Sequence, residues 1–241
     1  MTEDAIAGST VPAILAAMDW SGPWWLAVIG LGLVSLIGAA MYARQSRRSG
    51  LISVAAQFGL KAFDGPTPFS LEERKGFNLF SRGYGGKWAN LFADDLEAPS
   101  TLFFDFSYRF GLRFVANVGY RQSVAAFSAR LTSLPDFQLT PATFLDRILM
   151  NLGMQSIRFQ SRPDFGKKYC LRARDEFAVR ALFSDAFLDH LSLADPNGAW
   201  YVEKNGKWLL VYRHGKSVAP PALPHFIQTS RAMADLFLTP V

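Results

Sequence analysis

Residues 102–110 read Leu-Phe-Phe-Asp-Phe-Ser-Tyr-Arg-Phe. In an extended chain, side chains point alternately to opposite faces. Leu102, Phe104, Phe106, Tyr108 and Phe110 therefore share one face, and Phe103, Asp105, Ser107 and Arg109 share the other. The stretch predicts a β-strand with a fully apolar face turned to a core and a mixed face opposite. Towards the C-terminus, Tyr120–Leu131 reads as a further strand and as its antiparallel partner.

From Pro135 the texture changes. Thr140 followed by Pro141 predicts an N-cap and a first-turn proline, with a helical stripe of Phe144, Leu145, Ile148, Leu149 and Leu152 that stops at Gly153. Short strands are expected at Ser156–Gln160 and Lys168–Ala173. A helix is expected over Glu176–Leu193, capped by Asp175 and apolar through Val179, Leu182, Phe183, Phe187 and Leu191. Trp200–Lys204 and Lys207–Tyr212 flank Asn205-Gly206, the dipeptide favoured in type I′ hairpin turns. In that register Trp200, Val202, Leu209 and Val211 share one face, and Tyr201, Glu203, Trp208, Leu210 and Tyr212 the other. Both faces are apolar enough that each is expected to be covered. A last helix follows Pro221 and Pro224. Strands and helices in this arrangement predict an α+β fold, an antiparallel sheet with helices packed on it.

Towards the N-terminus, Phe77–Lys87 is rich in turn residues and aromatics, and Gly83-Tyr84-Gly85-Gly86 reads as a glycine-rich turn. Leu51–Phe63 has helical spacing through Leu51, Val54, Ala55, Phe58 and Ala62. Trp24–Ala43 is a run of 20 residues without a charge. At about 1.5 Å per residue, a helix of that length reaches roughly 30 Å, the thickness of the hydrocarbon layer. It is read as a transmembrane helix, with Trp24 and Trp25 at one interface and Tyr42 at the other. A cleaved signal peptide would carry basic residues before its apolar run. Here Glu3, Asp4 and Asp19 precede it, and Arg44, Arg47 and Arg48 follow. The basic flank stays on the cytoplasmic side, so the expected location is the inner membrane, single-pass, N-terminus outside and C-terminal part cytoplasmic. Gly30, Gly32, Ser35, Gly38 and Ala39 would let a second helix approach closely, which admits a homo-oligomer.

The chain then divides into a short extracytoplasmic N-terminus (1–23), the span (24–43), a basic juxtamembrane segment and helix (44–68), an aromatic strand-rich half (69–134) and an α+β half (135–241) with its hairpin at 200–212. All 25 basic residues lie after residue 43, with 17 of the 20 acidic ones. That surplus suits anionic lipid headgroups or plain solubility.

Catalytic signatures are missing from the sequence. A single cysteine, Cys170, and three scattered histidines build no common zinc motif, so neither a metal nor another cofactor is expected. Gly83–Lys87 fails as a phosphate-binding loop, because Ser81 and Trp88 stand where that motif needs glycine and Ser or Thr. Lys75-Gly76-Phe77 opens like an RNA-binding strand and then departs from the pattern, so nucleic acid is not an expected partner. His190, His214 and His225 read as surface or capping groups. Glu72-Glu73 and Asp94-Asp95 are sequence neighbours that read as solvated charge.

Asp105 is the acidic residue inside the most apolar strand. An unpaired buried carboxylate costs several kcal/mol, so Asp105 needs solvent, a donor or a cation, and Arg109 on its own face lies roughly 13 Å along the strand. Two readings follow: a paired scaffold residue, or the polar anchor of a ligand cleft lined by Phe103 and Tyr108.

The order of Phe77-x-Leu79-Phe80-x-x-Gly83, Asn90, Phe104-Asp105-Phe106-x-Tyr108, Pro135-x-Phe137-x-Leu139-x-Pro141, Pro163-x-Phe165, Tyr169-x-Leu171 and the Trp200–Tyr212 hairpin resembles an uncharacterised bacterial family of single-span membrane proteins with a cytoplasmic α+β domain. Phe106 stands where such sequences often have Tyr. The resemblance implies fold and anchoring and carries no site residue. The expected function is a membrane-anchored cytoplasmic binding or interaction module, touching lipid through its span and a protein or small ligand through its domain. An enzyme at the inner membrane surface, or a lipid-contacting envelope protein, are the alternatives.

Overall fold

The computed structural model describes residues 23–65, 67–112, 116–128, 134–142 and 156–238. Helix α1 runs from Trp24 to Gln57. It is the one helix among the described residues that is long and apolar enough to cross a membrane. Its side chains from Leu26 to Met41 lie open, with Leu31 at 71% and Leu36 at 69% exposure. Of the described residues, those up to Arg47 fall in one unit and those from Arg48 in a second.

The second unit is α+β. After the end of α1 come β1 (Lys61–Ala62), α2 (Leu71–Gly76), α3 (Asn78–Ser81), β2 (Tyr84–Ala93), β3 (Thr101–Leu112), β4 (Ala116–Ser128) and β5 (Phe137–Pro141). Then follow α4 (Pro163–Lys168), β6 (Tyr169–Ala173), α5 (Glu176–Leu182), α6 (Asp185–Ala194), β7 (Tyr201–Asn205), β8 (Trp208–Tyr212) and α7 (Leu223–Leu238). The eight strands form one sheet in the order β1-β2-β3-β4-β8-β7-β5-β6, every pair antiparallel. The β4–β8 pairing therefore joins strands from the two halves of the sequence.

A sheet with apolar residues on both faces must be covered twice. On one face Phe103, Ala125, Phe127, Leu209 and Val211 pack with Leu51 and Ala55 of α1, Phe183 and Phe187 around α5 and α6, and Phe226 and Phe237 of α7. On the other, Phe104, Phe106, Val124, Leu210 and Trp208 pack against Phe69, Phe77 and Leu79 from the short α2–α3 segment. Both sides of the β7–β8 hairpin are buried accordingly.

Several elements differ from the sequence expectation. Thr140 and Pro141 are not a helix start but the end of strand β5, where they face Cys170 and Tyr169. Pro141 is tolerated because it ends its strand. The apolar stripe Phe144 to Leu152 lies outside the described residues. Ser156–Gln160 is irregular, although Ile157 donates to the Leu171 carbonyl at 2.8 Å. The expected helix over Glu176–Leu193 is two helices, because Ser184 leaves helical geometry to cap α6 through Phe187 N, while Asp175 caps α5 through Ala178 N. The glycine-rich Gly83–Gly86 stretch opens a strand. Gly83 has φ +63°, and a Cβ there would stand 2.0 Å from the Arg109 carbonyl oxygen, so glycine permits the close pairing of β2 with β3.

The hairpin turn is also displaced. Asn205 faces Trp208 and Tyr201 faces Tyr212, which makes Gly206-Lys207 the two-residue loop. Gly206 has φ +55° and Lys207 is not among the positive-φ residues, the pattern of a type II′ turn with glycine first. The partner of Val202 becomes Val211 instead of Leu209. That is one full pleat period, so every side chain keeps its expected face. Nothing lies within 4 Å of a Cβ built on Gly206, so Gly206→Val would suffer backbone strain alone, about 1–3 kcal/mol. A thermal melt of the variant should fall by several degrees below that of Gly119→Val, which meets equally open space without a positive φ.

Candidate functional site

Asp105 is buried, at 4% exposure, in the middle of β3. Its carboxylate accepts from Asn90 Nδ2 at 2.7 Å, Arg121 at 2.8 Å and Ser123 Oγ at 2.7 Å. These partners come from β2 and β4, as the distance to Arg109 required. Phe103 shares the Asp105 face but lies in the helix-covered core. Tyr108 projects from the opposite face, beside Tyr120 and His214. The three candidate ligand residues are thus not brought together, and a cleft lined by Phe103 and Tyr108 around Asp105 does not form.

What Asp105 does instead is hold a loop. Ser123 Oγ, which donates to Asp105, accepts from Val218 N at 2.9 Å, and Ser123 N donates to the Lys216 carbonyl at 3.0 Å. Gly215 N donates to Gln122 Oε1 at 3.0 Å. The chain after β8 is therefore pinned to β4 along residues 215–218. A second buried carboxylate pins the segment before β7. Asp195, 3% exposed, accepts from Ala199 N at 2.7 Å and Trp200 N at 2.9 Å, and also from the Tyr169 hydroxyl. Burial, then the bond to Asp195, pushes the Tyr169 phenol far above its ordinary value, so it stays a donor.

Between these two pinned segments and the start of α7 lies a cavity of about 600 Å³. That is within the size range of small-molecule sites. Its walls include Trp200, Val218, Ala222 and Phe226, and its rim carries Arg213, His214, Lys216 and His225. Trp200 and Phe226 stack with centroids 6.1 Å apart, and the Arg213 guanidinium lies 4.4 Å above the Trp200 ring. Burial, and then the Arg82 charge, push His214 below the ordinary histidine value, so it is neutral at pH 7. Among the described residues no carboxylate lines the cavity.

Asp105→Asn keeps the shape and turns an acceptor into a donor facing three donors. The expected loss is about 1–3 kcal/mol, with faster amide exchange at residues 215–218 because Ser123 loses its acceptor. An unchanged melt with unchanged exchange at those amides would show that Asp105 does not support the loop.

The remaining sequence candidates are placed as follows. Trp24 and Trp25 begin α1, and Tyr42 and Arg44 are exposed further along it. Arg48 pairs with Asp64 at 2.5 Å, and Arg47 lies one residue before it. His190 is exposed on α6, next to Asp189, which Arg162 holds with two bonds. Among the described residues no group of His, Cys, Asp or Glu is placed to hold a metal ion. Sequence reasoning missed the cavity because its walls come from residues 199–201, 213–222 and the start of α7. The signals it held were the Arg213-His214-Gly215-Lys216 basic loop and Trp200.

No family model matches the sequence, and no curated protein matches it. Among solved structures the chain is similar to the crystal structure of the mycobacterial trehalose monomycolate transport factor A, TtfA, at 15% identity and a TM-score of 0.46, covering 81% of this chain and 96% of that one. A likeness this distant says nothing of ligand or partner.

Proposed function

We propose that the chain is a membrane-anchored cytoplasmic binding module whose ligand occupies the cavity between the 199–201 segment, the 213–218 loop and α7. The observation that carries this reading is the cavity itself, about 600 Å³, apolar-walled and held open by bonds outside it. Membrane anchoring is supported by the exposed apolar side chains of Trp24–Ala43 and by its length. Cytoplasmic placement is supported by Arg44, Arg47 and Arg48 after the span and the acidic residues before it. The resemblance to single-span bacterial membrane proteins agrees with this arrangement.

Native mass spectrometry of the full chain released from nanodiscs after expression tests the binding reading. Wild type should carry a bound small molecule that Thr229→Trp, which fills the cavity, does not. Identical spectra for the two proteins would sink it. Orientation is tested separately, with a C-terminal tag expected to survive protease in intact spheroplasts and to be digested after lysis. Digestion before lysis would place the domain outside.

A further inference from the structure

We infer that the cavity takes an amphiphile with one acidic head group, its apolar body against Trp200 and Phe226 and its head between Arg213 and Lys216. The inference rests on the cavity being the ligand site.

Three observations converge on it. First, Val218, Ala222 and Phe226 offer walls with no hydrogen bonds to give through their side chains, and the Trp200 ring adds an apolar face with a single N–H donor at its edge. A small hydrophilic anion such as phosphate would leave them wet, so the occupant needs an apolar body. Second, the rim cations Arg213 and Lys216 have no ion-pair partner among the described residues. With no carboxylate lining the cavity, an amine head group would meet two positive charges and nothing to answer it. A neutral apolar molecule would leave the pair unanswered. Third, Arg213 is already laid on the Trp200 ring, at 4.4 Å from its centroid. A guanidinium over an aromatic face still offers five N–H donors, two of which match the two oxygens of a carboxylate, sulfonate or phosphate. The apolar wall and the anion fork therefore meet at one side-chain pair.

No other lining residue, His225 on the rim included, brings a negative charge to the cavity. His214 is neutral at pH 7, and Tyr201 and Thr229 are uncharged lining residues. The buried carboxylates Asp105 and Asp195 do not line the cavity and have donors of their own: Asn90, Arg121 and Ser123 on one, and Tyr169 with two backbone amides on the other.

The test uses the full chain in phosphatidylcholine nanodiscs and two fluorescent probes of the same ring frame, anilinonaphthalene sulfonate and phenylnaphthylamine, which lacks the sulfonate. Thr229→Trp in identical discs supplies the signal from probe dissolved in the bilayer. The sulfonate is expected to bind wild type about ten-fold tighter than the neutral probe. The double variant Arg213→Gln/Lys216→Gln should remove that preference, bringing the sulfonate's affinity down to that of the neutral probe measured on the same variant. Equal affinities of the two probes, both abolished by Thr229→Trp, would overturn the acidic head group while the cavity reading stands. Signals from wild type and Thr229→Trp that coincide for both probes would overturn the cavity reading, and this inference with it. Displacement of the sulfonate by added oleate assigns a free acid, and displacement by phosphatidylglycerol built into the disc assigns a lipid head group. Displacement by dodecanol with neither of these effective would overturn the inference.

Discussion

Replacing Glu203 by alanine is expected to destabilise the domain by about 3–5 kcal/mol, a fall in Tm of about 10 °C. Glu203 is wholly buried on β7, on the sheet face covered by α2 and α3. Its Oε1 accepts from the Tyr212 hydroxyl at 2.6 Å and its Oε2 from Leu79 N at 3.3 Å. Arg82 lies close enough for Glu203 to raise its pKa, while the Arg82 guanidinium stacks 5.3 Å from the Tyr201 centroid and donates to Asn78 Oδ1 at 2.6 Å. Alanine would strand the Tyr212 hydroxyl, the Leu79 amide and the Arg82 charge together. Glu203→Gln keeps an acceptor and the shape, so it should lose far less.

The pH dependence separates charge from packing at this position. Burial pushes the Glu203 carboxyl above the ordinary glutamate range, against the pull of Tyr212, Leu79 and Arg82. The native state then holds a proton that the unfolded chain has released. The Glu203 contribution is therefore fully present below the ordinary glutamate value and is lost as pH rises through the higher native one. Glu203→Gln should remove that decline. A wild-type stability that rises across the same window, with the variant unchanged, would show the sign to be wrong.

The second large effect is expected for Phe69→Ala, about 3–5 kcal/mol of stability. Phe69 lies in the loop before α2, yet it is 2% exposed. Its ring meets Trp208 at 4.9 Å, Trp88 and Phe80 at 5.5 Å, Phe104 at 5.8 Å and Phe77 at 6.3 Å, centroid to centroid. Alanine would open a cavity at the point where the α2–α3 segment, β2, β3 and β8 meet. Phe177→Ala is the control, because Phe177 is 86% exposed and its removal should shift the melt little. Equal melts for the two variants would show that the aromatic cluster does not hold the segment on the sheet.

Phe69 and Glu203 illustrate why part of the fold escapes a linear reading. Nothing in the residues around Phe69 marks it as buried, since its neighbours are loop residues and its contacts come from as far as Trp208. Glu203 reads as a polar break in an apolar strand until Leu79 and Tyr212 are seen to converge on it. Glu73 reads in the sequence as solvated charge, yet it accepts from Ser70 N at 2.7 Å and completes a capping box with Ser70. The cavity is a sharper case: Val218 is a wall residue because Ser123 and Asp105, about a hundred positions earlier, hold its backbone.

Local periodicity decided what it can decide. The alternation through residues 102–110, the partner strand beyond Tyr120, the hairpin at 201–212, the cap at Asp175 and the apolar run in α1 are all short-range patterns, set by where side chains point along a strand or helix. The face of each hairpin residue was legible too, because a full-period shift of register leaves faces unchanged. Only the tertiary structure decided the order of the eight strands, the drafting of Thr140 and Pro141 into β5, the separation of Tyr108 from Asp105 and Phe103, and the cavity. Those outcomes depend on buried donors and acceptors finding partners far away in sequence, a pairing that no window of neighbouring residues contains.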